Sequence, residues 1–220
     1  MKLTEYPLFA YHTSLKETSK DPSNLQYMTE SPYDVIRFDH VKEHYAEDSF
    51  HKPRESLTSA DALMEVSPRG AEAPFVFVEF KNGKLHEKDL RSLREKLRDS
   101  LLIFADITNS TIAAARSTLD YIVVYNAEKN PPAPGEAPLK DAGIPESPSR
   151  LKIASRLAEK AHKELIRFDL ERFQSIYYRN IHTYNETQFE DYLSKHGIPT
   201  EPCASGSVVG AGNPQPFGSE

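Results

Sequence analysis

The chain has 220 residues, of which 38% are hydrophobic and 27% charged, and its formal net charge is −6. This composition is typical of a soluble globular protein with one sizeable core and some disordered sequence, and the acidic charge argues against indiscriminate coating of nucleic acid. The single cysteine, Cys203, excludes a disulfide framework and a cysteine-rich zinc site. Because we find neither a basic-then-apolar leader nor an apolar run of membrane-spanning length, we expect a cytoplasmic protein without membrane contacts.

The first predicted elements lie between residues 33 and 73. Residues 33–38 predict a short strand, and residues 38–45 predict a helix with Asp39 as its N-cap. Residues 59–66 predict a second strand. The segment 67–73 is typical of a turn that closes a hairpin, so the next strand should return antiparallel to it.

That returning strand is the apolar stretch 75–84, FVFVEFKNGK, in which alternation places Glu79 and Lys81 on one face. If the hairpin is centred on Gly70, paired residue numbers add to 140 and Asp61 faces Glu79, with Cβ atoms about 5 Å apart. Two facing carboxylates repel each other, and Lys81 offsets only part of that repulsion. A divalent cation such as Mg²⁺ or Mn²⁺ would offset the rest. A shift of one residue would instead turn Asp61 to the opposite face.

A long amphipathic helix is predicted over residues 86–108, followed by a short helix over 112–116 and a strand over 119–125. Basic side chains dominate the polar side of the long helix. They are either an ordinary solvated face or a surface for a phosphate backbone. With one lysine from the end of the preceding strand, the candidates for nucleic-acid binding are Lys84, Arg91, Arg94 and Lys96.

The C-terminal third begins with a Pro-rich stretch, since residues 127–149 hold six of the 16 prolines and predict an extended loop. A second amphipathic helix is predicted over 150–168, and a strand or hairpin over 173–184. Asn185 is the expected N-cap of a last helix over 186–196. The predicted organisation is a core at 1–126, the loop at 127–149, a helix-strand-helix extension at 150–197 and a disordered tail at 198–220.

Asp61 on one strand and Glu79-Phe80-Lys81 on the next, followed by a basic helix, resemble the PD-(D/E)xK nuclease superfamily over residues 33–125. The resemblance implies an α+β, sandwich-like fold of the restriction-endonuclease type, with a mixed central sheet flanked by helices and a C-terminal helix and strand extension. The core is also similar to that of a set of uncharacterised bacterial proteins, which supplies a fold family but no activity.

By this resemblance Asp61 and Glu79 would be ligands of Mg²⁺ or Mn²⁺, and Lys81 the catalytic lysine of a nuclease acting on DNA or RNA. A further acidic ligand from the first helix would be Glu43 or Glu47, and the choice between them stays open. The alternatives are a Glu79–Lys81 ion pair that only caps a strand, or an inactive nuclease-fold protein that serves as a binding module for another macromolecule.

Overall fold

The computed structural model describes residues 2–66, 75–131 and 166–201. In these ranges the chain forms one mixed six-stranded sheet with helices on both faces, so the expected α+β class is confirmed. The predicted turn at 67–73, most of the Pro-rich loop and the predicted helix over 150–168, and nearly all of the tail lie outside the described residues.

The regular elements follow one another in chain order. The strands are β1 (His12–Ser14), β2 (Asp34–Arg37), β3 (Ala62–Glu65), β4 (Phe75–Lys81), β5 (Leu119–Tyr125) and β6 (Asn180–Asn185). The helices are α1 (Leu15–Thr18), α2 (Phe38–His44), α3 (Glu87–Ile107), α4 (Ile112–Thr118) and α5 (Glu186–Lys195). Single helical turns occur at Leu3–Glu5, Pro7–Phe9, Arg54–Ser56 and Glu171–Phe173, and a π-helical turn, Tyr45–Ser49, follows α2.

The sheet order is the chain order, from β1 to β6. The pairs β1–β2, β2–β3 and β3–β4 are antiparallel, whereas β4–β5 and β5–β6 are parallel. The long helix α3 lies between β4 and β5 in sequence, as a parallel pair requires a crossover connection. The two central strands β4 and β5 therefore run side by side over seven residue pairs, from Phe75–Leu119 to Lys81–Tyr125.

Alternating side chains divide the core between the two faces of the sheet. On one face Phe75 and Phe77 of β4 pack with Leu93, Leu97 and Phe104 of α3, all of them buried. Val76 and Val78 point to the other face and pack with Phe189 and Leu193 of α5. Each of these side chains contributes about 1.5–3 kcal/mol by burial. Because β4 is covered on both sides by apolar side chains, the charged residues Glu79 and Lys81 at its end need a separate explanation.

The predictions for the central elements are confirmed, with small differences in bounds. The helix predicted over 86–108 is α3, whose start is fixed by the Asp89 carboxylate accepting from the backbone N–H of His86 at 2.9 Å. Asn185 caps α5 as predicted, because its side-chain oxygen accepts from the Gln188 N–H at 2.8 Å.

Two local predictions need correction. Asp39 does not cap α2; it lies in the first turn, where its carboxylate accepts hydrogen bonds from the Arg37 guanidinium, and Arg37 is the N-cap residue. The strand or hairpin predicted over 173–184 is a regular strand only in β6, because residues 175–177 form a turn and Gln174 meets Tyr178 only in an isolated bridge. The edge strand β1 was not predicted. Within the described residues, no helix is long and apolar enough to cross a membrane.

Candidate active site at the end of strand β4

The hairpin register predicted from the sequence is confirmed. From Ala62–Val78 to Glu65–Phe75, the numbers of paired residues in β3 and β4 add to 140. Asp61 precedes β3 at a bend, where its backbone N–H donates to the Val78 carbonyl at 3.1 Å. Its carboxylate Oδ2 accepts from the Phe80 N–H at 2.7 Å, which turns the side chain toward the end of β4.

Glu79 is the centre of a cluster of charges. Its side chain is 0% exposed, and Oε1 lies 2.7 Å from the ammonium nitrogens of both Lys81 and Lys96. The Lys96 ammonium also lies 3.3 Å from Oδ1 of Asp61. Lys96 therefore bridges the two carboxylates, and Lys81 binds one of them from the side.

Lys96 reaches this position because of its place on α3. It lies three residues after Leu93 and one before Leu97, both fully buried, and so stands at the border of the apolar stripe that faces the sheet. Its side chain is 21% exposed. The sequence placed Lys96 on the polar side as a candidate for nucleic-acid binding; the structure places it on the predicted metal ligands.

The cluster shifts the ionisation of its members. Burial, with the charge of Glu79 as the second cause, raises the pKa of Asp61 to about 7, although the two lysines and the Phe80 amide oppose this. Burial also disfavours the charged form of Lys96, but the carboxylates of Glu79 and Asp61 outweigh it, and the pKa of Lys96 is raised. The Lys96 ammonium therefore remains charged, while Asp61 changes charge near neutral pH.

Two buried oxygens near the cluster lack a hydrogen-bond partner among the described residues: Oε2 of Glu79 and the hydroxyl of Tyr121. Tyr121 lies on β5, on the same face of the sheet as Phe77. Burial, and then the charge of Glu79, raise the pKa of Tyr121 well above its usual value. Glu79 thus keeps one oxygen for a further cation or donor, since its other oxygen already accepts from two ammonium groups.

An open cavity of about 360 Å³ lies in front of this cluster. Its lining residues include Asp61, Glu79, Lys81 and Lys96, together with the segment 18–23 at the end of α1. This volume is at the lower end of the range for small-molecule pockets, about 300–1,000 Å³. The cluster is therefore accessible to a ligand from solvent.

The segment 18–23 is attached to the end of β4 through Asn82, the residue that follows Lys81. Its amide nitrogen donates to the Asp21 carboxylate at 3.0 Å, and its oxygen accepts from Asn126 at 2.9 Å. The loop from Lys20 to Tyr27 is closed by a β-bridge between these two residues. Asn82 thus connects β4, the end of β5 and an N-terminal loop, a connection that no local pattern indicates.

Helix α3 also fixes the backbone that presents Asp61. The buried hydroxyl of Ser100 accepts from the Ala60 N–H at 2.8 Å, and the Asp99 carboxylate accepts from both the N–H and the hydroxyl of Thr58, at 2.9 and 3.0 Å. One helix therefore supplies both Lys96 and the support for Asp61.

The remaining predicted site residues divide into two groups. Lys84 lines the cavity and Arg91 is exposed on α3, so both are open to a ligand. Arg94 instead pairs with Glu87 and Asp169, at 3.6 and 3.4 Å.

The two alternative acidic ligands are engaged elsewhere. Glu47 lies 2.7 Å and Glu43 3.9 Å from the guanidinium of Arg54. Among the described residues that line the cavity, neither appears. The structure thus does not bring them to Asp61 and Glu79.

The donor set is compatible with Mg²⁺ but minimal. Within the described ranges no group of three or more His, Cys, Asp or Glu side chains is placed to hold a metal ion. Mg²⁺ is commonly held by one or two carboxylates together with waters and substrate phosphates. Asp61 and Glu79 can supply these two carboxylates. The free Oε2 of Glu79 favours this fit, whereas the Lys96 ammonium opposes it.

Comparisons with known proteins add no assignment. No family model matches the sequence, and neither curated proteins nor solved structures give a significant match.

Proposed function

We propose that the protein is a Mg²⁺-dependent nuclease of the PD-(D/E)xK type, which hydrolyses phosphodiester bonds in nucleic acid. The observation that carries the proposal is that Asp61, Glu79 and Lys81 line one open cavity at the end of the β3–β4 hairpin. Two carboxylates and a lysine next to an accessible cavity are the side chains that metal-assisted phosphodiester hydrolysis needs.

The arrangement of elements supports a restriction-endonuclease-like fold. Three antiparallel strands, β2, β3 and β4, are followed by α3 and then by β5, which is parallel to β4. Asp61 directly precedes the second strand of that series and Glu79 lies on the third, close to where the resemblance expects its acidic residues. Fold alone does not establish activity, so the proposal depends on the site.

Each residue has a distinct role in this proposal. Asp61 and Glu79 would hold Mg²⁺ or Mn²⁺, which when bound polarises the phosphate and lowers the pKa of a coordinated water. Lys81 is held by Glu79 and is 21% exposed at the cavity, where its ammonium can orient the attacking water or neutralise a phosphate oxygen. Lys84 and Arg91 can contact flanking phosphates.

Cleavage assays on single- and double-stranded DNA and RNA, with Mg²⁺ or Mn²⁺, test this function. Wild-type protein should cut at least one substrate, whereas Asp61→Asn and Glu79→Gln should lose at least about a hundredfold in rate. Glu95→Gln, at an exposed position on α3, is the matched control and should keep full activity.

A protein that cuts none of these substrates would point to a different function. Lys96 forms an ion pair with each of the two carboxylates in the structure, which favours a second candidate, a nuclease-fold module that binds a macromolecule without cutting it. Nucleic-acid or protein binding by a wild-type protein that cuts no substrate with either metal would support that alternative and overturn the enzyme.

A further inference from the structure

We propose that Lys96 is an internal cation that occupies the shared position between Asp61 and Glu79, and that a divalent metal ion binds there only by displacing it. The inference rests on the proposed function for the identity of the ligand. It adds that Lys96 regulates metal binding at that site.

The first argument is geometric. The Lys96 ammonium lies 2.7 Å from Oε1 of Glu79 and 3.3 Å from Oδ1 of Asp61, so it contacts one oxygen of each proposed metal ligand. A cation coordinated by the same two oxygens would lie against this ammonium, and two unscreened positive charges in contact repel strongly. Lys96 and the metal therefore compete for the carboxylates.

The second argument is that Glu79 has another counter-ion. Lys81 also lies 2.7 Å from Oε1 of Glu79, so the carboxylate keeps an ammonium partner when Lys96 leaves. Oε2 of Glu79 is buried and has no hydrogen-bond partner among the described residues. Departure of Lys96 therefore leaves an anionic site with an unused oxygen.

The third argument concerns the freedom of Lys96 to leave. Its side chain lines the open cavity and is 21% exposed, so the ammonium can move from the carboxylates into water. A lysine has a flexible four-carbon stem and a strongly hydrated charge, and its contacts are made and broken more easily than those of a bidentate arginine. Lys96 therefore occupies the position between the two carboxylates reversibly.

Competition between Lys96 and the metal weakens metal binding by a factor that depends on how often the site is open. The apparent affinity falls with the fraction of molecules in the competent state, and so a site left open about one tenth of the time binds about tenfold more weakly. Lys96→Met, which keeps a long unbranched side chain and removes the charge, should therefore strengthen metal binding about tenfold or more.

Titration of the metal-free protein with Mn²⁺, followed by electron paramagnetic resonance and calorimetry, tests the inference without any cleavage assay. Lys96→Met should bind Mn²⁺ at least about tenfold more tightly than wild type. Lys88→Met removes the same charge from an exposed position on the same helix and should leave the affinity unchanged. The double variant Lys96→Met with Glu79→Gln should lose the gain.

The contrary results are equally clear. Unchanged or weaker Mn²⁺ binding by Lys96→Met, or an absence of Mn²⁺ binding in all variants, would overturn the inference. Lys96→Gln repeats the test with a polar side chain in case the methionine variant does not fold, as judged by circular dichroism. A gain in Mn²⁺ affinity without cleavage of any nucleic acid would uphold the displacement of Lys96 and overturn only the hydrolytic function.

Discussion

The ammonium of Lys96 and the carboxylate of Glu79 lie 2.7 Å apart, although one comes from helix α3 and the other from the central strand β4. Glu79 is fully buried, and a carboxylate in that environment requires a cation. The contact explains how a charged residue is accommodated in the core of the sheet. It also joins α3 to the two carboxylates that the proposed nuclease would use.

Glu79→Gln should destabilise the protein. The substitution removes the anion that two ammonium groups share, and breaking a buried ion pair costs about 3–5 kcal/mol. Because each lysine is 21% exposed and can turn toward water, we expect the lower end of this range. Urea denaturation of the variant measures the loss. Glu95→Gln, on the exposed side of α3, should change the free energy of unfolding by less than about 0.5 kcal/mol. A Glu79→Gln variant as stable as wild type would show that the cluster contributes no stability.

The pKa of Asp61 predicts a pH dependence of stability. Its pKa is raised to about 7 in the folded protein from 3.8, so the folded state binds the proton more tightly than the unfolded state. Its contribution to stability is therefore present at low pH and is lost as pH rises from about 4 to about 7. The difference corresponds to at most about 4 kcal/mol, and the 26% exposure of the side chain reduces it.

Urea titrations of wild type and Asp61→Asn between pH 5 and pH 8.5 isolate this contribution. The free energy of unfolding of wild type, minus that of Asp61→Asn, should decrease as pH rises to about 7 and then level off. A difference that stays constant would mean that Asp61 does not titrate in this range, and either a constant or an increasing difference would contradict the prediction.

Ser100→Ala tests how α3 supports Asp61. The substitution removes the acceptor of the buried Ala60 N–H, and an unsatisfied buried donor costs about 1–3 kcal/mol. The matched control is Ser92→Ala on the same helix, which should be neutral or slightly stabilising because alanine is the better helix former. Equal thermal midpoints for the two variants would contradict the proposed support.

Strong local patterns made the centre of the fold predictable. The 3.6-residue period of α3 is typical of a helix, and the apolar runs of β4 and β5 are typical of buried strands. The register of the hairpin was predicted from the assumption that its connection is centred on Gly70, and the observed pairs of β3 and β4 agree with that register. That register is why Asp61 and Glu79 were predicted as neighbours.

The contacts that were not predicted join residues that are far apart in the sequence. Lys96 borders the apolar stripe of α3, and helical periodicity cannot say whether such a residue turns to solvent or to the sheet. The strand β1 pairs with β2, which lies about twenty residues later in the sequence. With three residues, β1 is too short for an alternation pattern to identify it. The Asp21–Asn82 contact joins a surface loop to β4, and turn chemistry alone does not specify what a loop touches.

A double-mutant cycle with Asp21→Ala and Asn82→Ala tests the attachment of the loop over residues 20–27. The Asn82 amide donates to the Asp21 carboxylate, so we expect a coupling free energy of about 0.5–1.5 kcal/mol. The cycle removes the separate contribution of the Asn82–Asn126 hydrogen bond, which each Asn82 variant loses equally. Effects that add within about 0.3 kcal/mol would show that the loop lies against β4 without energetic attachment.

The most direct test of the proposed nuclease is the Mg²⁺-dependent rate of strand cleavage by Lys81→Met, measured in single turnover against wild type and Lys88→Met. Lys81 contacts the cavity and the buried carboxylate, whereas Lys88 is exposed on α3. We predict cleavage by wild type and Lys88→Met at equal rates, and a loss of about a hundredfold or more in Lys81→Met, as expected when a charged group that stabilises the transition state is removed. Equal rates for Lys81→Met and wild type, or no cleavage by wild type, would contradict the account.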